Sequence, residues 1–194
     1  MLQKLNLFTV CCLALVLMGC AGPQPKLIHP PVNVSDIKPI SAKKIFFYFD
    51  VSLESNYRNN WRDVAVEHWT QLGNHLVEKI KGSGVNADFK IKFEKSGLPG
   101  QPPQDATHIL LFTQESATLS STIIVDYTWN TAVLQKMPSS DVNRINYKQL
   151  SVYKYRYDNF DCFLKMRSDE FKKTCFDAHS NFQIEQLKRM GIIN

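Results

Sequence analysis

The sequence predicts an α+β domain, a mixed β-sheet of about five strands carrying two main helices. Three observations lead there. The run Ile45-Phe46-Phe47-Tyr48-Phe49-Asp50-Val51 is apolar at nearly every position, so it reads as a strand covered on both faces. Trp61, Ala65, Trp69, Leu72, Leu76 and Ile80 recur at steps of three and four, the spacing of one helix stripe. Segments that alternate apolar and polar residues follow, before a second helical stripe closes the chain.

In chain order, the first strand spans Ile45 to Val51 and the first helix runs from about Asn60 to Lys81. Asn60 suits the start of that helix, and Gly82 or Gly84 its end. Gly73 in its middle costs about 1 kcal/mol against alanine, a cost offset if it permits close packing. Phe89, Ile91 and Phe93 alternate with Lys90, Lys92 and Glu94, a strand with one wet face. Strand, helix, strand predicts a right-handed crossover between parallel neighbours. Lys95 to Asp105, with its glycines and prolines, is a surface loop. Thr107–Thr113 and Thr122–Leu134 are the next strands; in the second, Ile123, Val125, Tyr127, Trp129 and Val133 share one face. After a loop at Pro138-Ser139-Ser140-Asp141, Tyr153, Tyr155 and Tyr157 alternate with Lys154 and Arg156 in a further strand.

Ser168-Asp169-Glu170 has the hydroxyl and carboxylates that favour a helix start. Phe171, Cys175, Ala178, Phe182, Leu187 and Met190 form its apolar stripe, Gly191 ends it, and Ile192 and Ile193 fold back onto the core. With its Leu187-to-Ile193 ending, this element order is similar to small periplasmic domains such as the N-terminal domain of TolB and the folded parts of outer-membrane lipoproteins. The resemblance implies an α+β sandwich and leaves function open.

Residues 1–19 carry a different signal. Lys4 gives a positive start, and Leu5 to Met18 is an apolar run of about fourteen residues, shorter than the roughly 20 needed to span a bilayer. That is the pattern of an export signal. It ends in Leu17-Met18-Gly19-Cys20, which resembles the lipobox of bacterial lipoproteins: an aliphatic residue, a small residue and an obligatory cysteine. The resemblance covers residues 1–21. It implies cleavage before Cys20, acylation of Cys20 by groups such as palmitate, and attachment to the lipid bilayer there. Ala21 stands where an aspartate would direct retention in the inner membrane, so the expected location is the outer membrane, with the domain facing the periplasm.

Residues 20–42 hold Pro23, Pro25, Pro30, Pro31 and Pro39 among few large apolar side chains. Proline lacks an amide donor and fixes its backbone, so this stretch reads as an extended tether reaching up to roughly 60 Å from the bilayer. Residues 43–194 are then one globular domain of about 150 residues, enough for a single core. Composition is ordinary for such a domain, with 44% hydrophobic and 21% charged residues. The formal net charge of +5 is scattered, with no block of like charges, and offers no basis for a nucleic-acid partner in an exported chain. Cys11 and Cys12 leave with the signal and Cys20 takes lipid. Cys162 and Cys175 remain, an even pair in an oxidising compartment, and they are expected to form a disulfide.

No catalytic constellation is legible. The histidines are His29, His68, His75, His108 and His179, and none falls in a zinc-protease, EF-hand or Cys/His metal pattern, so neither a metal nor another cofactor is expected. Ser41-Ala42-Lys43-Lys44 and Ser151-Val152-Tyr153-Lys154 match S-x-x-K by letter, but the first ends the tether and the second lies in a strand, where that chemistry needs a helix start. Asp50, at a strand end, is read as a turn cap, since no phosphate-binding glycine loop follows. The candidate binding residues are Tyr153, Tyr155, Arg156 and Tyr157. Aromatic faces stack on sugars or partner side chains and interleaved bases attract anions, although tyrosines in a strand also pack on a core. The expectation is a non-enzymatic binding module with another envelope protein as partner. An architectural subunit joined through strand edges is the alternative, and a cell-wall-modifying enzyme comes third.

Overall fold

The computed structural model describes residues 24–31, 42–52, 59–93, 102–120, 123–138, 146–158 and 169–194. The elements follow as β1 (Lys26–His29), β2 (Lys44–Asp50), α1 (Asn59–Gly82), β3 (Asn86–Lys92), β4 (His108–Ser120), β5 (Ile123–Met137), β6 (Asn146–Asp158) and α2 (Asp169–Arg189). The strands form one six-stranded sheet in the order β1-β6-β5-β4-β2-β3. β2 runs parallel to β3 and to β4, and the remaining pairs are antiparallel. The fold class is α+β, with one strand more than the sequence led us to expect.

β2 lacks alternation because both its faces are covered. Ile45, Phe47 and Phe49 point into the main core with the helices. Phe46 and Tyr48, 4% and 3% exposed, lie on the other face in a smaller cluster with Ala106 and Ile109. On the helix side, α1 delivers Trp69, Leu72, Leu76 and Ile80, all at most 1% exposed. Full burial of each such side chain contributes about 1.5–3 kcal/mol. Aromatic rings fill the centre: Phe49 stacks on its cross-strand partner Phe112 at 4.8 Å, and Trp69 meets Trp129 edge-on at 5.1 Å. Edge-on and offset arrangements of this kind favour the ring quadrupoles.

Each helix ends where a glycine allows it. Gly84 has φ +79°, and its N–H donates to the Lys81 carbonyl at 2.9 Å. Gly191 has φ 66°; its N–H donates to Lys188, while that of Ile192 reaches back to Leu187. Those two bonds make a Schellman cap, and the accompanying apolar contact joins the buried pair Leu187 and Ile192. The Ala42 N–H then donates to the Ile192 carbonyl at 3.1 Å, fastening the last residues to the start of the sheet. Ser168 lies outside the described residues.

The tether needs correction. Lys26–His29 is not spacer but an edge strand, pairing antiparallel with β6. Pro25 is buried before it, and Leu27 packs against the main core. A second difference concerns β4 and β5, which continue to Ser120 and from Ile123 as a long antiparallel pair through residues 114–120, a stretch too polar to read as strand.

Gly73 earns its place by proximity. A Cβ there would lie 2.5 Å from two ring carbons of Phe89 on β3. Gly73→Ala gains about 1 kcal/mol of helix propensity but overpacks this contact, at a cost of about 1–3 kcal/mol. We expect the variant to unfold at lower urea concentration than the parent, and Phe89→Ala in the same chain to reverse the sign of the alanine effect. A Gly73→Ala variant more stable than the parent would refute the close-packing account.

Candidate functional site

Strand β6 has two faces, and the four candidate binding residues divide between them. Tyr153, Tyr155 and Tyr157 point towards the helices and are 0%, 0% and 2% exposed. Their hydroxyls meet α2 at four-residue steps. Tyr157 donates to the Cys175 carbonyl at 3.2 Å, Tyr155 bonds His179 Nε2 at 2.9 Å, and Tyr153 donates to Gln183 Oε1 at 2.5 Å. The geometry follows from the two periods. Two strand residues advance about 6.7 Å and four helix residues about 6 Å, so alternate positions of β6 stay level with one stripe of α2. Burial pushes the Tyr153 and Tyr155 hydroxyls well above the ordinary tyrosine range, which keeps them protonated. The stacking role expected of these rings is therefore corrected: they are packing residues that seat α2, and no ligand reaches their faces.

The helices are also tied to one another. Asp177 accepts from His75 Nε2 at 2.9 Å and from Lys79 Nζ at 2.5 Å, and Lys79 also donates to Asn181 at 2.8 Å. Partial burial alone would raise the Asp177 carboxyl, but the Lys79 and His75 donors more than offset it and hold the group below the usual range. His179, 1% exposed, is pushed down to a pKa of about 3 by burial and by the neighbouring His68. It is neutral at any ordinary pH.

The other face of β6 carries Lys154 and Arg156. Arg156 is exposed and sits directly opposite Lys26 of β1; Lys154 is half-buried, opposite His29. Glu115 on β4 forms an ion pair with Lys154. Between Leu27 and His29 the register slips, making Ile28 the extra residue of a bulge, and its side chain is 42% exposed. A bulge in an edge strand re-aims a side chain and bends the strand away. The reachable surface around β6 is thus a cluster of bases beside one apolar residue. Of the four residues singled out from sequence, only Arg156 belongs to it. Lys26, His29 and Ile28 were missed, and no periodic signal in so short a strand pointed to them.

The remaining sequence candidates do not assemble into a reactive site. Ser151 faces the core at 3% exposed, whereas Lys154, three residues on, faces the opposite side of the strand. Ser41, in the first S-x-x-K match, lies outside the described residues. Asp50 accepts from the Ser52 N–H at 3.1 Å and lies 3.5 Å from Lys92 Nζ, the behaviour of a turn cap. His108 is buried against Thr107, and burial lowers its pKa. Among the described residues no group of three His, Cys, Asp or Glu side chains could hold a metal ion. No helix there is long and apolar enough to cross a membrane. Cys20 and Cys162 lie outside the described residues, while Cys175 is 1% exposed on the sheet-facing stripe of α2.

The fold and the β6 surface define a two-layer α+β domain with a basic sheet edge. No protein-family model matches the chain, and neither does any curated protein.

Proposed function

We propose that the chain is a bacterial lipoprotein of the outer membrane, anchored through acylated Cys20, whose periplasmic domain binds another envelope protein without performing catalysis. The observation that carries the reading is Leu17-Met18-Gly19-Cys20 at the end of a short apolar run with a positive start. The domain that follows offers charged, reachable surface at β6, while its hydrogen-bonded histidine and tyrosine, His179 and Tyr155, are sealed in the core. An architectural subunit joined through strand edges is the second reading. It is weakened at β1, where Pro25, Lys26, the bulge and Pro30-Pro31 are features that deter strand addition. In the same oxidising compartment Cys162 and Cys175, the two cysteines left outside the signal and the anchor, are proposed to be disulfide-bonded.

Cys20→Ala is expected to leave an uncleaved or soluble form, because the thiol is both the acylation site and the mark for cleavage. Each acyl methylene buried contributes about 0.8 kcal/mol, and stable anchoring takes more than one chain. Mass spectrometry of the amino-terminal peptide and fractionation after a high-salt wash check it. Normal processing and membrane retention of the alanine variant would overturn the reading. Crosslinking in intact envelopes separates the alternatives: a discrete substoichiometric partner supports a binding module, a fixed-ratio complex an architectural subunit. Turnover of wall fragments by the purified protein would favour an enzyme.

A further inference from the structure

We infer that β3, the sheet edge opposite β1, pairs antiparallel with β3 of a second copy of this chain, joining two domains into one continuous sheet. Such pairing needs only the folded domain, so it goes beyond the binding reading, whose partner is a different protein. Among the described strands β3 ends the sheet. It carries neither proline nor bulge, and it matches β2 residue for residue from Asn86 to Lys92. The devices that deter strand addition at β1 are thus missing here.

Backbone direction decides which groups this edge presents. The Lys92 carbonyl faces β2, where it accepts from the Val51 N–H at 2.9 Å. A strand residue points its N–H and C=O to one side and its neighbour points to the other, so Lys90 and Asp88 also face β2. Ala87, Phe89 and Ile91 turn theirs outward. In keeping with that, the Phe89 N–H donates at 2.8 Å to the carboxylate of its own neighbour, Asp88.

Charge selects both the occupant and the register. A two-fold axis at Phe89 sets Phe89 opposite its own copy and Ala87 opposite Ile91, each a hydrogen-bonded pair. Asp88 then falls opposite Lys90 of the second copy, in the non-hydrogen-bonded sites where Cα atoms approach to about 4.5 Å. Opposite charges placed so are favourable and like charges unfavourable. Moving the axis one residue either way sets Asp88 or Lys90 against itself. Both side chains are exposed, and among the described residues Lys90 forms no ion pair. When Asp88 turns to that lysine, the Phe89 N–H passes to the Phe89 carbonyl of the other strand, so no donor is stranded. The same axis draws the two α1 helices together, since Gly73 of α1 lies against Phe89. Val66, about two turns earlier on that side of the helix, is 37% exposed and lies along the seam.

The test uses the full chain in a nonionic detergent, with association read by sedimentation equilibrium. The parent should dimerise reversibly. Asp88→Lys and Lys90→Asp should each weaken self-association about tenfold, because two attractive pairs become repulsive. An equimolar mixture of the two variants should regain the parent's affinity, since each then meets its complement. A chain carrying both substitutions should do the same, which also reports an intact fold. In intact envelopes, a photoreactive benzophenone side chain in place of the exposed Asn86 should crosslink to a second copy. A parent that stays monomeric up to its solubility limit, a dimer indifferent to either reversal, or a mixture that fails to regain association would overturn the inference. Adducts at position 86 only to a different protein, or to lipid, would overturn it as well. None of these outcomes touches the lipoprotein reading, which stands or falls on Cys20.

Discussion

Lowering the pH from 7.5 to 5 is expected to weaken the fold by about 2 kcal/mol, from the linkage slope of about 1.4 kcal/mol per pH unit for one proton. The source is His179. Folded, it holds a pKa of about 3; unfolded, it returns to the ordinary imidazole value of 6.5. Between those values the unfolded chain binds a proton that the folded chain does not, so stability rises with pH. The contribution is complete above about 6.5 and is lost progressively towards 3. His108, whose pKa burial also lowers, adds in the same sense. The stabilisation from the lowered carboxylates Asp105 and Asp177 is lost only as the pH falls below the ordinary aspartate value of 3.8, so they stay out of this window. Urea midpoints at the two pH values read the effect. His179→Gln should be less stable at neutral pH, having lost the Tyr155 contact, but should show a shallower decline with acid. Equal midpoints for the parent at both pH values would refute a buried neutral His179.

The second large effect is expected from the proposed Cys162–Cys175 bond. It would close the short connection from β6 to α2, and by chain entropy a loop of this size contributes about 3 kcal/mol. Cys175 sits where that bond matters, on the stripe one turn before His179, with its carbonyl holding the Tyr157 hydroxyl. Cys162→Ser should therefore loosen the start of α2 and lower the melting temperature by roughly 10 °C. Alkylation with and without reductant, followed by mass spectrometry, checks the bond directly. Two thiols that alkylate in unreduced periplasmic protein would refute it.

How far the sequence disclosed this molecule depended on which elements carry a period. β2, α1 and β3 were legible because burial dictates their patterns, and so was the glycine stop at Gly191. β1 was not. Its four residues bury only Leu27 to any extent, and the prolines on either side speak for an extended chain whether or not it pairs. The outer part of the β4–β5 pair was hidden for a related reason: Gln114 to Ser120 is held in register by backbone pairing, which leaves no hydrophobic trace. The β6 surface was misread because a tyrosine on every second residue looks the same whether it meets a ligand or a helix. The deciding signal lay elsewhere in the chain, in His179 and Gln183 spaced by four on an otherwise apolar stripe. Polar atoms at core-facing helix positions call for polar partners, and the Tyr155 and Tyr153 hydroxyls are those partners, while Tyr157 reaches a backbone carbonyl.

The fastening of Ala42 to Ile192 also bears on when the chain can fold. The sheet edge closes only when β1 finds β6, and the core closes only when α2 covers Tyr153, Tyr155 and Tyr157. Joining segments so far apart loses chain entropy before any contact compensates, which makes such topologies slow to form. Synthesis proceeds at about 5–20 residues per second, so while the six strands are being made the nascent chain lacks the helix that would complete its core. A polypeptide proposed to leave the cytoplasm behind the signal ending at Cys20 must stay threadable until it has crossed. Placing the closing contacts in a helix made after every strand it covers keeps it so.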